Sequence, residues 1–251
     1  MLSKNNIKYI QSLQHKKVRD AELAFVAEGP KTVVELLQTG VFACRSLYAV
    51  ESWLSTLDPN LLKLIHPHLE VIKDFELEKI SSYSSPNEVV AIFSQQEQTE
   101  PLSAKNKVTL VLDDIRDPGN LGTIIRTADW FGIPQIICSN HTVERYNPKV
   151  VQSTMASLGR VDIHYTSLVP WLKSENAVPK FAATLNGNAV AMIEGRESAI
   201  LIIGNESNGI SEDVLALADE QITIPAIGRA ESLNAAVSAA ILLYTVRTKR
   251  S

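Results

Sequence analysis

The stretch GRAESLNAAVSAAILLY, residues 228–244, packs Arg229, Glu231, Ser232 and Asn234 into one loop that runs straight into a helix rich in small residues. A guanidinium, a carboxylate, a hydroxyl and an amide together can hold an anion, orient a nucleophile and manage a proton. Two earlier loops offer similar groups. DDIRDPGNLGTIIRTADWFG, residues 113–132, carries Asn120 and Arg126, and ILIIGNESNGISEDVLALAD, residues 200–219, carries Glu206. Taken singly, each has an ordinary alternative. An arginine on a helix is most often solvated or ion-paired, and a loop carboxylate often just accepts from nearby amides.

The elements needed to position these loops are legible. VTLVLDDI, PQIICS, RVDIHYT, KFAATL, AILIIG and QITIPA are apolar throughout rather than alternating, as expected of parallel strands covered on both faces, and helical segments separate nearly all of them. The expectation is a doubly wound α/β sheet, in which ligands collect beyond the carboxyl ends of the strands. The three polar loops fall at such ends. In the first, Asp117-Pro118-Gly119 makes a turn, Asn120 can cap the helix and Gly132 closes it. In the second, Ser211 is placed to cap a helix. In the third, Pro225 ends the strand and Ser232 can cap a final helix beginning near Leu233. Ala235, Ala236, Ser238, Ala239 and Ala240 would let another backbone come close.

Upstream, AFVAE, SLYAV, LEVIK and EVVAIF alternate with helical segments such as PKTVVELLQTG, whose Pro30 suits a first turn and Gly40 a C-terminal cap. QQEQTEPLSAKN between the halves is polar and aperiodic. The reading is therefore a small α/β domain over 1–94, a linker over 95–106 and a larger α/β domain over 107–251.

Bulk properties exclude more than they assign. The 251 residues, 45% hydrophobic, suffice for two cores, and the net charge of −4 confines any polyanion surface to a local patch. No apolar run is long enough for a signal peptide or a membrane span, and the expectation is a cytoplasmic protein. Cys44 and Cys138 lack paired or metal-ligand spacing and read as buried structural thiols. The densest basic cluster is His15, Lys16, Lys17 and Arg19, with Lys4, Lys8 and Lys31 as neighbours in the same domain. It can grip phosphates or form a solvated helix face.

DPGNLGTIIRTADWFG, LIIGNESNGIS and ITIPAIGRAESLNAAVSAAILLY, in this order, resemble the motifs of the SpoU, or TrmH-type, branch of the SPOUT RNA methyltransferases. HKKVRDAELAFVAEGPKTVVELL is similar, more loosely, to the ribosomal-protein-like RNA-binding domain that precedes many such catalytic domains. Ser207 and Ala226 depart from residues common at those motif positions, a glycine and a methionine.

The resemblance implies a deep trefoil knot, an exception to the rule against threaded chains, which the small residues of the last helix would suit. It implies S-adenosylmethionine held by Gly204, Ile224 and Leu233, with Leu185 after ATL a further candidate, and no metal. The implied reaction is methyl transfer to a ribose 2′-hydroxyl. Asn120, Arg126, Glu206, Ser232 and Asn234 would form the catalytic ring, and Lys16, Lys17 and Arg19 would contact RNA. Arg126 has two roles open, as base in an unusual environment or as a cation anchoring phosphate and developing oxyanion charge, since guanidinium ordinarily stays protonated. The family works as a homodimer, with Arg145 or Arg160 candidates to act across its interface.

Ribosomal RNA is the expected substrate, because an RNA-binding-type domain leads the chain and the basic C-terminal extension of some tRNA enzymes does not follow VRTKRS. Transfer RNA is the alternative. A non-catalytic ribosome-assembly factor of the same fold is opposed by the intact polar ring, and a dinucleotide-dependent oxidoreductase lacks its glycine fingerprint.

Overall fold

Ten strands and eleven helices form in the computed structural model, which describes residues 2–97 and 99–248. Gln98 of the linker and Lys249, Arg250 and Ser251 of the VRTKRS end lie outside the described residues. The first half runs α1 (Lys4–Ser12), α2 (Lys16–Glu22), β1 (Ala24–Glu28), α3 (Pro30–Thr39), β2 (Cys44–Val50), α4 (Glu51–Leu54), α5 (Pro59–Ile65), β3 (Leu69–Ile72), α6 (Asp74–Ile80) and β4 (Val89–Ser94). The second runs β5 (Val108–Leu112), α7 (Pro118–Trp130), β6 (Gln135–Ser139), α8 (Pro148–Thr154), β7 (Asp162–Thr166) and α9 (Leu168–Ser174), then β8 (Lys180–Ala189), β9 (Ala199–Ile203), α10 (Glu212–Leu215), β10 (Glu220–Thr223) and α11 (Ala235–Arg247).

Two compact units result. One takes the chain up to Glu97 together with Tyr146–Gly159, and the other takes the rest. The first unit is a four-stranded mixed sheet, order β1-β4-β2-β3, with β4 antiparallel to both β1 and β2. Pro30 occupies the first turn of α3, and Gly40 ends it at φ 64, where a side chain would be strained. An aromatic cluster fills one side. Phe25 stacks on Phe93 at 5.6 Å between centroids and on Tyr146 at 4.8 Å, and Tyr146 also accepts a hydrogen bond from the Gln96 amide at 3.0 Å. Residues 146–159, which include α8, thus close a core built from the first hundred residues, whereas the sequence alone assigns them to the larger domain.

The second unit is a six-stranded sheet, order β10-β8-β9-β5-β6-β7, in which every neighbouring pair is parallel. β5, β6 and β9 are buried along their whole length, which is what their unbroken apolar runs require. One face packs Trp171 and Leu172 of α9 and Val214 of α10 against Val111, Ile137 and Ile202. The final helix α11 packs on α7 and β9, with Ala235, Ala236 and Ala239 buried in the contact, so its small residues do admit close neighbours.

From β5 the chain winds outward to β6 and β7, then returns to fill the other side. The switch point, where loops leave in opposite directions, lies between β5 and β9. β8 runs past its apolar stretch, and after a register shift its Asn188 and Ala189 pair with Ile222 and Thr223 of β10. A Cβ at Gly187 would sit 2.6 Å from the Gln221 carbonyl oxygen, so only glycine allows this approach.

Both cysteines are free. Cys138 is buried and Cys44 half-buried, and burial pushes the Cys44 thiol up to about 11 and the Cys138 thiol higher, which keeps both protonated. Among the described residues no helix is long and apolar enough to cross a membrane.

Candidate active site

The carboxyl ends of β5, β8, β9 and β10 release the loops that build the site. After β9 the chain folds back on itself, with Asn205 and Gly209 exchanging backbone hydrogen bonds of 2.9 Å each. A Cβ at Gly204 would lie 2.2 Å from the Gly209 carbonyl carbon and 2.3 Å from the Ile210 nitrogen. Backbone cannot yield there, so this turn demands glycine.

The turn is tied to the loop after β5. The Asn205 side-chain Nδ2 donates to the Asp114 carbonyl at 2.8 Å, while its Oδ1 accepts from the Ser207 and Asn208 amides. Asp113, buried at the end of β5, accepts from both the Ser211 amide (2.9 Å) and the Ser211 hydroxyl (2.7 Å). Ser211 does precede α10, but its hydroxyl serves this tie rather than the helix. Asp113, Asn205 and Ser211 were not among the site residues expected from sequence. The signal available was an acidic pair, Asp113-Asp114, closing a fully apolar strand.

A cavity of about 730 Å³ opens at these loops, and Leu185, Gly204, Glu206, Ile224, Ser232 and Leu233 all line it. Its walls mix apolar side chains, Ile203 and Ile222 among them, with loop backbone and the side chains of Asn205, Gln221 and Thr223. All four proposed cofactor positions therefore share one chamber, as do two members of the proposed catalytic ring.

Asn120 and Asn234 join that ring through a directed chain. Asn234 occupies the N-cap of α11, where its side-chain oxygen accepts from the amides of Ala236 (2.8 Å) and Val237 (3.3 Å). With its oxygen committed, its Nδ2 donates to Oδ1 of Asn120 at 2.8 Å. The amide of Asn120 is thereby oriented, and its Nδ2 donates to Oε1 of Glu206 at 2.5 Å. Three loops, far apart in sequence, meet at one carboxylate on the chamber wall.

Two expected caps are corrected. Asp117, not Asn120, caps α7, accepting from the Asn120 amide at 2.7 Å, which frees the Asn120 side chain for Glu206. Asn234, not Ser232, caps α11, which begins at Ala235; Ser232 stays in the preceding loop on the cavity wall.

Arg126 stands apart. It is exposed on α7, six residues and so about 240° around the helix from Asn120, and it does not line the cavity. Its guanidinium makes no hydrogen bond or ion pair with the described residues. Arg160 pairs with Asp129 at 2.8 Å, and Arg145 donates to the Ile163 carbonyl at 2.7 Å, so both have partners within their own protomer.

In the first unit, Lys16 and Lys17 are exposed, Lys16 pairing with Asp20 at 2.6 Å. Arg19 turns inward instead of facing solvent. It is 2% exposed, and its Nη1 donates to the carbonyls of Leu13 (2.8 Å) and Gln14 (2.7 Å), closing the turn between α1 and α2. Among the described residues no cluster of three or more His, Cys, Asp or Glu is arranged to hold a metal.

A parallel α/β sheet whose switch-point loops bind a nucleoside-sized chamber to a directed polar chain defines a ligand-binding enzyme class rather than a scaffold. Residues 107–244 match the model of the SpoU rRNA methylase family, and residues 4–91 match that of the MRM3-like substrate binding domain. The chain belongs to the SpoU rRNA methylase family. It is 31% identical over 258 residues to the 23S rRNA (guanosine(2553)-2′-O)-methyltransferase RlmP of Bacillus subtilis, covering 96% of this chain and 100% of that one. A solved TrmH-family protein of Porphyromonas gingivalis superposes with a TM-score of 0.85 at 36% identity, covering 98% of both chains. An AdoMet-bound rRNA methyltransferase of Sinorhizobium meliloti superposes with a TM-score of 0.86 at 30% identity, covering 98% of this chain and 96% of that one.

Proposed function

We propose that this protein methylates a ribose 2′-hydroxyl of ribosomal RNA, using S-adenosylmethionine. The observation that carries the reading is the chain from Asn234 through Asn120 to Glu206, ending at the rim of the chamber lined by Gly204, Ile224 and Leu233. Two of the similar proteins support the chemistry: one is solved with AdoMet bound, and RlmP is by name a 2′-O-methyltransferase of 23S rRNA. The chamber suits the cofactor. At about 730 Å³ it falls within the range of roughly 300–1,000 Å³ typical of small-molecule sites. Its apolar walls suit an adenine face, and its loop backbone and amide side chains suit ribose and carboxylate groups.

When bound, S-adenosylmethionine supplies an electrophilic methyl group on a sulfonium. The chain's own residues must hold the ribose hydroxyl in line with it, because alignment recovers much of the barrier. The directed amide chain fixes Glu206, whose remaining oxygen can accept from a ribose or guanidinium. Arg126 meets the RNA outside the chamber, holding a phosphate and through it the position of the attacking oxygen. The first unit offers Lys4, Lys8, Lys16, Lys17 and Lys31, all exposed, to further phosphates.

We place the enzyme in the cytoplasm as a homodimer, with its last segment threaded as in the trefoil-knotted members of its superfamily. A groove between α7 and α11, lined by Phe131, Val237, Ala240, Ile241 and Tyr244, leaves Val237 and Tyr244 exposed and supports self-association there. Tyr244→Glu should then sediment as a monomer. The deciding experiment for function is transfer of labelled methyl to rRNA from cells lacking the protein, followed by mapping. Transfer to a base instead of a ribose, or none at all, would refute the reading.

A further inference from the structure

Arg126 is followed one helical turn later by Trp130, the most exposed of the three tryptophans. Trp130 is 84% exposed, against 4% for Trp53 and 8% for Trp171. An indole is rarely left this open, because it removes more apolar area from water than almost any side chain when covered. Neither Trp130 nor Arg126 lines the groove between α7 and α11, whose α7 side is Asn120, Thr123, Thr127 and Phe131. The two share a separate exposed stripe, about 6 Å apart along the helix axis. That spacing is close to one nucleotide step of an extended strand.

The pairing selects the occupant. A protein surface covering Trp130 would also have to neutralise Arg126, which has no acidic partner among the described residues, whereas a nucleotide brings phosphate and a flat base together. We propose that Trp130 is a stacking platform for an unstacked base next to the methylated nucleotide, so that the substrate is an unpaired or splayed segment of RNA. This rests on the methyltransferase function proposed for the chain. Single-stranded recognition commonly uses such aromatic platforms, and an A-form duplex offers no free base face.

With the other two tryptophans buried, quenching of the protein's emission by neutral acrylamide reports chiefly on Trp130. Adding the rRNA fragment that carries the mapped site should shift that emission and shield it from acrylamide. Trp130→Ala should raise KM for this RNA about tenfold with little change in kcat, and Trp130→Phe should restore most of the loss. Melting temperature and S-adenosylmethionine affinity should not move, since the side chain packs on little. Two results would overturn the proposal: methylation by the wild type with Trp130 still fully quenchable, or an indole already shielded before RNA is added and uncovered on dilution to monomer. Absence of any methyl transfer by the wild type would instead remove the functional reading itself.

Discussion

The basic segment of the smaller unit and the polar loops of the larger one are alike as text, each a short run of charged and amide side chains. Folding gives them different fates. Of the basic cluster, Arg19 turns inward to bind two carbonyls and Lys16 pairs along its own helix, leaving a diffuse surface. The loops of the larger unit converge instead, and one carboxylate ends a hydrogen-bond chain fed from two other loops. Polar residues at the carboxyl ends of parallel strands have no helix face to decorate, so they face one another or a ligand. Polar residues on a short amphipathic helix have several ordinary uses.

This contrast can be tested by how differently the two regions respond to substitution. The largest loss should come from the larger unit. Glu206→Ala or Arg126→Ala should reduce kcat by about 10²–10³, roughly 2.7–4 kcal/mol, in a methyl-transfer assay, with the melting temperature unchanged. Retained activity in both would remove the polar ring from the mechanism. Next is Arg19→Ala, which strands two carbonyls in the smaller unit. It should cost about 2–3 kcal/mol of stability by chemical denaturation while leaving methyl transfer by the folded fraction intact. A large KM effect without destabilisation would return Arg19 to the RNA surface.

Gly204→Ala should follow, because its Cβ cannot coexist with the Gly209 backbone. At least tenfold weaker S-adenosylmethionine binding by calorimetry is expected, about 1.4 kcal/mol, with the sheet still folded. Smallest is the Lys16→Ala, Lys17→Ala pair. Only a few-fold rise in KM for RNA is expected, together with a shallower dependence on salt by about one or two phosphate contacts.

Strands were the most legible feature, since burial on both faces forces unbroken apolar runs. β8 outran its run because its last residues, Asn188 and Ala189, pair only with the edge strand β10, and Leu185–Ala189 are exposed, where solvent accepts polar residues. The Gly204 turn and the loops holding Asn120, Glu206 and Asn234 were legible from types and position. Their partnerships were not. Asp117 and Asn120 compete for one cap, as do Ser232 and Asn234, and composition cannot say which side chain is left over for the site. The tie between Asp113 and Ser211 spans 98 residues, and the burial of Arg19 depends on a turn geometry that KKVRDAE does not encode by itself.

The excursion of residues 146–159 into the smaller unit carries a consequence for biogenesis. Tyr146 stacks on Phe25, so the aromatic core begun by the earliest strand stays open until that segment arrives. A nascent chain emerging from the ribosome must leave this face uncovered for about fifty residues of synthesis, a window in which chaperone capture or premature aggregation competes with completion. Cutting the gene at the polar linker would make that window permanent.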